Sequence, residues 1–380
     1  IREQAKSLAS SIGGQAVIDP ELLEEVTFLV EWPRAFVGRF AQEYLDLPEA
    51  CVITPMKDHQ RYFPVREPGG SLMPVFIGVA NGGDDAVDVI RAGNEKVLAA
   101  RLADARFFFE EDMKRPLADR VADLRGVVFQ ERLGTMYEKA VRIGRLASEL
   151  LLGAPEAALA ERTALLAKTD LVTSVVREFT ELQGVMGREY ALRHGEDSTV
   201  AEAIFEHYLP RFAGDALPAS PLGAALSVAD KIDTLAGYFL IGLVPSGSAD
   251  PYALRRQAAG AVSVHAEWRF ALGIDSLAAR AVGLFASAGV AEDPARQGQV
   301  VEDVMGFIRA RLKASLEEAG HRHDIADAVL AAGCGRPACV FERAQAVAQV
   351  VDEAWFAALA TAASRVRNIA MNARADAFSP

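Results

Sequence analysis

The sequence predicts a mainly α, multidomain protein with a small α+β module near its N-terminus. Three observations predict it. From Ala35 to Val79 the chain carries short β-rich runs, CVITPM, RYFPV and MPVFIGVA, punctuated by proline and glycine, including the turn Pro68-Gly69-Gly70-Ser71. After Asn81 the apolar residues recur at helical spacing almost to the end. The length of 380 residues suits two or three domains with ample buried core.

Taken in order, the first helix spans about Asp19 to Val30. Asp19 is its N-cap, Pro20 its first residue, and Leu22, Leu23, Val26 and Leu29 form its apolar stripe. Trp32-Pro33 ends it, since proline cannot continue the hydrogen-bond ladder. Beyond the β-rich module, Asn94 to Phe109 reads as a helix through Val97, Leu98, Leu102, Ala105 and Phe109. Met136, Ala140, Ile143, Ala147 and Leu150 mark the next helix, and others run from about Glu161 to Thr180 and from Leu222 to Ile241. On the last of these, Leu226, Ala229, Asp233, Ala236 and Leu240 share a face. Pro245-Ser246-Gly247-Ser248 breaks the pattern, and Asp250-Pro251 reads as N-cap and first residue of a new helix. Helix continues to about Leu316 with Val301, Val304, Ile308 and Leu312 on one face. The GCGRPAC segment interrupts it, and Phe341 to Arg374 is helical again and alanine-rich. The first residues, Ile1-Arg2-Glu3-Gln4, and the ending ARADAFSP read as cuts within a longer protein.

Composition bounds the function classes. The chain is 51% apolar and 24% charged, ordinary for a globular protein, and has no apolar run long enough to span a membrane. A net charge of −12 argues against indiscriminate coating of nucleic acid, yet leaves room for a local basic path. Cys51, Cys334 and Cys339 are too few for a disulfide framework and point to a reducing compartment, hence a cytoplasmic location. Zinc at Cys334 and Cys339 would need two further ligands, for which His321 and His323 are the nearest source; polar loop chemistry is the favoured reading and no metal is assigned. GxxxxGK, a GxGxxG after a strand, HExxH and GxSxG are all absent, and the six scattered histidines offer no Ser-His-Asp arrangement. A self-sufficient ATP-using or hydrolytic site is not visible.

The stretch from Gln130 to Gln257 resembles an HD-type phosphohydrolase domain stripped of its metal ligands. In order and spacing, Lys139 stands at the first histidine position, Thr169-Asp170 at the His-Asp dyad, and Asp230 at the distant aspartate. A metal needs several deprotonated ligands at once, whereas carboxylates facing a lysine make an ion pair. The HD positions therefore read as structural remnants.

Eight runs taken together resemble the β subunit of bacterial glycyl-tRNA synthetase, of the type built from separate α and β chains. They are LLEEVTFLVEWP, ITPMKDHQRYFPV, GNEKVLAARLADARFFFEED, FQERLGTMYEKAVRI, AKTDLVTSVVREFTELQGVMGREYA, YLPRFAGDALP, ALSVADKIDTLAGYF and DPYALRRQAAG. The likeness weakens beyond Gly260, through FIRARLKASLEEAG to SRVRNI. The resemblance implies a domain plan: residues 1–125 as part of a B3/B4-like α+β module with connecting helices, 126–265 as the degenerate HD-like domain, 266–345 as a helical linker, and 346–380 as the start of a truncated DALR-like anticodon-binding domain. It implies an α2/β2 assembly in which the α subunit carries the aminoacylation site and uses ATP and Mg2+. This chain would bind no cofactor of its own. Its partners would be the α subunit and tRNA(Gly), with no membrane and no DNA. The alternatives from other classes are a metal-dependent HD-type phosphohydrolase and a non-catalytic RNA-binding or assembly factor. The B3/B4 likeness also raises editing, for which the sequence identifies no hydrolytic site.

No residue is expected to perform bond chemistry; the candidates are tRNA-binding groups. Arg255 and Arg256 fall in the opening of a helix, where the dipole disfavours cations, so their presence suggests an external anion. Lys57, His59, Arg61 and Tyr62 interleave cations with aromatics, which suits phosphate pairing and base stacking. Arg365, Arg367 and Asn368 resemble the opening of the anticodon-binding helices. Lys96, Arg101 and Arg106 read instead as a solvated helix face laced by ion pairs, Arg101 with Asp104. Phe107-Phe108-Phe109 cannot all face one core, which leaves at least one for another domain or for the α subunit.

Overall fold

The computed structural model describes residues 1–83, 86–290 and 293–372, with side chains to residue 370. Its elements in chain order are α1 (Arg2–Ser11), β1 (Gln15–Ala16), α2 (Pro20–Leu29), β2 (Pro33–Arg39), α3 (Glu49–Thr54), β3 (Phe63–Arg66), β4 (Leu72–Asn81), α4 (Val87–Met113), α5 (Leu117–Arg120), β5 (Val128–Gln130), β6 (Gly134–Thr135), α6 (Met136–Leu150) and α7 (Ala157–Leu166). There follow α8 (Ser174–Glu178), α9 (Val185–Arg193), α10 (Ser198–Glu206), α11 (Pro221–Leu240), α12 (Leu254–Trp268), α13 (Ile274–Ser287), α14 (Pro294–Glu318), α15 (His323–Ala331), α16 (Pro337–Val350) and α17 (Ala354–Asn372). The mainly α class with a small N-terminal sheet agrees with the sequence reading. Among the described residues no helix is long and apolar enough to cross a membrane. The chain divides into two compact units, Ile1–Val127 with Leu165–Phe205, and Val128–Ala164 with Glu206–Pro380.

The first unit is built on an antiparallel sheet in the order β1-β3-β4-β2. Phe63, Val65, Val75 and Ile77 point to one face of it and meet Ala5 and Ala9 of α1 and Leu22 and Val26 of α2. Asp19 caps α2 as the sequence predicts, accepting the N–H groups of Glu21 (2.9 Å) and Leu22 (3.2 Å), with Pro20 at the first position. Sequence reasoning assigned CVITPM to a β-rich run; it is helical, as α3 continued by a π-helical turn over Pro55–His59. Its β-branched residues favour a strand, but burial of Cys51, Val52 and Met56 on one side overrides that propensity. The helix expected from Asn94 extends to α4, with Leu98, Leu102, Ala105, Phe109 and Asp112 buried and Val97 largely exposed.

The helix expected from Glu161 to Thr180 is broken into α7, a 3-10 turn over Thr169–Val172, and α8. Threonines break it. The Thr169 hydroxyl donates to Leu166 O (2.6 Å), and the Thr173 hydroxyl donates to Asp170 O (2.6 Å) while capping α8.

In the second unit α11 is the central element. Of its residues only Pro221 and Asp230 are not buried, which is the pattern of a helix enclosed on every side. It packs against α6, α12, α13 and α14. Thr135 opens α6 through a reciprocal capping box with Glu138. The run expected to stay helical to Leu316 is three helices, α12, α13 and α14, and Val300 rather than Val301 begins the buried stripe of α14, followed by Val304, Ile308, Leu312 and Leu316. GCGRPAC is the break between α15 and α16, as predicted. The final helical stretch divides into α16 and α17, and the ARADAFSP ending lies outside the described residues.

Candidate functional site

Lys139 and Asp230 come together in the second unit, as the ion-pair reading of the HD-like positions requires. The Lys139 ammonium lies 2.7 Å from Asp230 and 3.1 Å from Asp233, and donates to the Thr234 hydroxyl at 2.8 Å. Asp233, fully buried, also accepts two hydrogen bonds from Arg142 at 2.6 and 3.2 Å. The second carboxylate of the cluster is thus Asp233, one turn on from Asp230. Aromatic faces close it, Phe129 at 4.4 Å from the Lys139 ammonium and Phe285 at 4.0 Å from the Arg142 guanidinium. Burial lowers the Lys139 pKa, but Asp230 and then Asp233 outweigh it, so the net shift is upward and the ammonium stays charged.

Thr169 and Asp170 belong to the first unit, where Asp170 organises the ELQGVMGREYA run. Its carboxylate accepts the N–H of Gly184 at 2.5 Å, and its other oxygen, Oδ1, is buried without a hydrogen-bond partner. Gly184 has φ +79, in the left-handed region, and a Cβ on Gly187 would meet Ile204 at 2.7 Å. Gly184 is therefore demanded by its backbone conformation, and Gly187 by the side chains packed against it. Burial pushes the Asp170 carboxyl from an ordinary 3.8 up to about 6, against the hydrogen bond from Gly184. The native state thus holds a proton that the unfolded chain releases between those values, and stability falls as pH rises through them. Asp170→Asn keeps the shape without the charge, so its stability relative to the parent is expected to climb from pH 4 to pH 7, by up to about 3 kcal/mol. Denaturant unfolding at several pH values checks this; parallel curves would mean that the carboxyl titrates normally.

DPYALRR begins differently from the sequence expectation. Helix α12 starts at Leu254, after Ala253 at φ +52, rather than at Pro251. Asp250 acts from outside the helix, its carboxylate accepting the N–H groups of Leu254 (2.8 Å) and Arg255 (2.9 Å). Arg255 and Arg256 consequently occupy the second and third helical positions, where the dipole is most adverse to cations. Arg255 donates to Gly247 O at 2.5 Å, and exposed Arg256 has no hydrogen-bond or ion-pair partner among the described residues. Both line a groove of about 480 Å3 bounded by the 210–217 loop, α12 and α14.

The Lys57 group divides. Lys57 is paired with Asp19 at 2.6 Å, His59 lies 3.0 Å from Glu181, and Arg61, at φ +59, pairs with Glu25 at 2.6 Å. Tyr62 is 5% exposed and stacked on Phe76 with centroids 4.3 Å apart, so its ring belongs to the core and offers no face to a base. On α4, Arg101 reaches Glu178 at 3.4 Å rather than Asp104, and Arg106 reaches Glu43 at 3.1 Å. Phe109 is buried, whereas Phe107 is 59% exposed. Arg365 and Arg367 are exposed on α17 without partners among the described residues, and two residues' separation turns them to roughly opposite sides of the helix. Trp355, Leu359, Val366 and Ile369 share another face of α17 and are exposed. Asp324 pairs with Arg322 at 2.6 Å, and in the first unit burial pushes the Cys51 thiol up to about 12.

Sequence reasoning missed Arg311, which lines the groove from α14, and Phe212, which lines it from the 210–217 loop. It also missed Asp112, which accepts N–H groups of Ser174 (2.8 Å) and Val175 (2.9 Å) and the Tyr190 hydroxyl (3.0 Å). Asp112 sits three residues after Phe109, in register with the predicted stripe of that helix, so helical spacing carried a signal for it; Arg311 lies off the Val304–Ile308–Leu312 stripe, and spacing carried none.

Fold and site together define a helical scaffold whose Lys139–Asp230–Asp233 charges close on themselves and whose α12 arginines open outward. Over residues 1–331 the sequence matches the family described as glycyl-tRNA synthetase beta subunit, and the chain belongs to that family. Similar proteins include the glycine–tRNA ligase beta subunits of Moorella thermoacetica, 50% identical over 379 residues, and of Clostridioides difficile, 46% identical over 379 residues. That of Desulforamulus reducens is 49% identical over 378 residues. These alignments cover 98 to 99% of this chain and 54% of each relative, so the chain spans about half the length of the curated relatives it matches.

Proposed function

We propose that this chain is the tRNA-handling part of a glycine–tRNA ligase, holding tRNA(Gly) so that its 3′ end reaches an active site on a separate α subunit. Arg256 is the observation that supports it most directly: a cation in the first turn of α12, answered by no acid among the described residues. Holding the acceptor end converts an improbable encounter into a fixed geometry, which is itself a catalytic contribution. In this reading ATP and Mg2+ act on the α subunit, the assembly is α2/β2 in the cytoplasm, and this chain's copies meet within it. Residues 1–125, 126–265, 266–345 and 346–380 keep the B3/B4-like, HD-like, linker and anticodon-binding assignments. Exposed Phe107 suits a protein contact, and Arg365 and Arg367 suit RNA strands on two sides of α17.

The phosphohydrolase alternative requires Asp230 as a metal ligand, and that carboxylate is engaged by the Lys139 ammonium at 2.7 Å. The test is glycylation of tRNA by the isolated α subunit with and without the full-length protein. Strong rescue is expected, reduced about tenfold by Arg255→Ala with Arg256→Ala, the loss of charge-assisted phosphate contacts. No rescue with a folded α subunit would sink the reading, and tRNA binding without rescue would leave the RNA-binding factor in its place.

A further inference from the structure

We propose that the groove of about 480 Å3 lined by Phe212, Asp215, Arg255, Arg256, Arg311 and Glu318 binds one nucleotide unit, an aromatic base with its phosphate. Only the source of that nucleotide, an RNA strand or a free ligand, rests on the tRNA reading. The volume falls in the range of small-molecule sites.

Three arginines from two helices converge on this groove, and their internal partners are few. Arg256 has none among the described residues. Arg311 touches the Phe307 ring at 5.2 Å, and its Nε is buried with no acceptor. A buried guanidinium N–H without an acceptor is costly, and an anion in the groove would supply one. Asp250 already occupies the N–H groups of Leu254 and Arg255, so anion binding falls to the side chains rather than to the helix terminus. Of the two lining carboxylates, Asp215 is bound to Arg211 at 2.9 Å, and the Arg211 hydrogen bond holds it below the usual carboxylate range. That leaves Glu318 as the one uncommitted lining carboxylate against three lining arginines, of which Arg255 also donates to Gly247 O, an excess of positive charge that selects anions.

The groove also suits a base. Phe212 is 57% exposed in a loop stapled by the Arg211–Asp215 pair, so its ring is held in place yet open to solvent. An exposed aromatic lining the same groove as Arg256 and Arg311 is a combination that stacks a base while gripping its phosphate. Glu318, at the end of α14, is an acceptor for base N–H donors.

The experiment titrates the full-length protein with tRNA at several salt concentrations, and separately with the ribonucleoside 5′-monophosphates, for the parent, Arg256→Ala, Arg311→Ala and Phe212→Ala. With RNA as the source, each arginine variant is expected to weaken tRNA binding and to flatten the slope of log K against log salt by about 0.7 to 0.9. Phe212→Ala is expected to weaken binding about tenfold with the slope unchanged, because stacking releases no counterions. With a free nucleotide as the source, the same variants lose mononucleotide binding while tRNA binding is untouched. If neither ligand responds to any variant, with helicity intact by circular dichroism, the site is overturned. Loss of glycylation rescue alongside preserved mononucleotide binding would remove the tRNA-positioning role and leave the groove standing.

Discussion

Asp233→Ala is expected to destabilise the second unit by about 4 kcal/mol, because it strands the Arg142 guanidinium in a dry interior and takes from Lys139 one of its two acids. Lys139 and Arg142 are both nearly fully buried, and Asp233 answers each of them at 3.1 and 2.6 Å. Asp230 remains for the lysine at 2.7 Å, but among the described residues the Arg142 guanidinium forms its ion pair with Asp233. The loss follows from removing one partner of a buried pair, which costs far more than the pair contributes in net terms. Adding Arg142→Met to Asp233→Ala is therefore expected to recover part of the stability by removing one stranded cation. Chemical denaturation followed by hydrogen exchange of α6 and α11 amides measures it. A loss below about 1 kcal/mol would mean that the cluster is effectively solvated.

Asp112→Ala is expected to have a comparable effect in the first unit, about 3 to 5 kcal/mol. One carboxylate, 2% exposed, satisfies the first amides of α8 and the Tyr190 hydroxyl and lies 3.5 Å from the Arg120 guanidinium. Its removal leaves the Val175 N–H buried and the Ser174 N–H half-buried at a helix N-terminus without an acceptor. Burial and then the Asp112 charge push the Tyr190 phenol upward, so that hydroxyl stays protonated and remains a donor. Asp112→Asn keeps an acceptor oxygen and is expected to cost less than alanine. Equal losses in the two variants would show that the charge, rather than hydrogen bonding, carries the effect. Hydrogen exchange at Ser174 and Val175 localises the opening.

Where the sequence was legible, local chemistry was strong enough to be decisive. Asp19-Pro20 at α2, the GCGRPAC break and the stripes of α6 and α11 each follow from rules that act within a few residues. Legibility failed where tertiary contacts outweighed local preference. CVITPM is β-branched yet helical, and the Thr169 and Thr173 hydroxyls turned an expected long helix into three short pieces. DPYALRR has a helix-start signature, but Asp250 caps from four residues upstream, so the helix begins later than its proline suggests.

The candidate site divided along the same line. Arg255 and Arg256 were found because their charge contradicts their place in a helix, a contradiction visible in one dimension. Tyr62 could not be judged that way: a Tyr-Phe pair alternates between faces, and only the sheet decides that Tyr62 lies on Phe76. Arg311 lies more than fifty positions from Arg255 in the chain and joins it only because α14 packs against α12. The sequence by itself determined the family, the helical class, the caps and the loss of the first HD ligand, since each is written in residue identity and short-range spacing. The tertiary structure decided which carboxylate Lys139 would share, which arginines would keep no partner and which aromatic would stay in solvent. Those outcomes depend on distances between segments remote in sequence, and packing of the helices sets those distances.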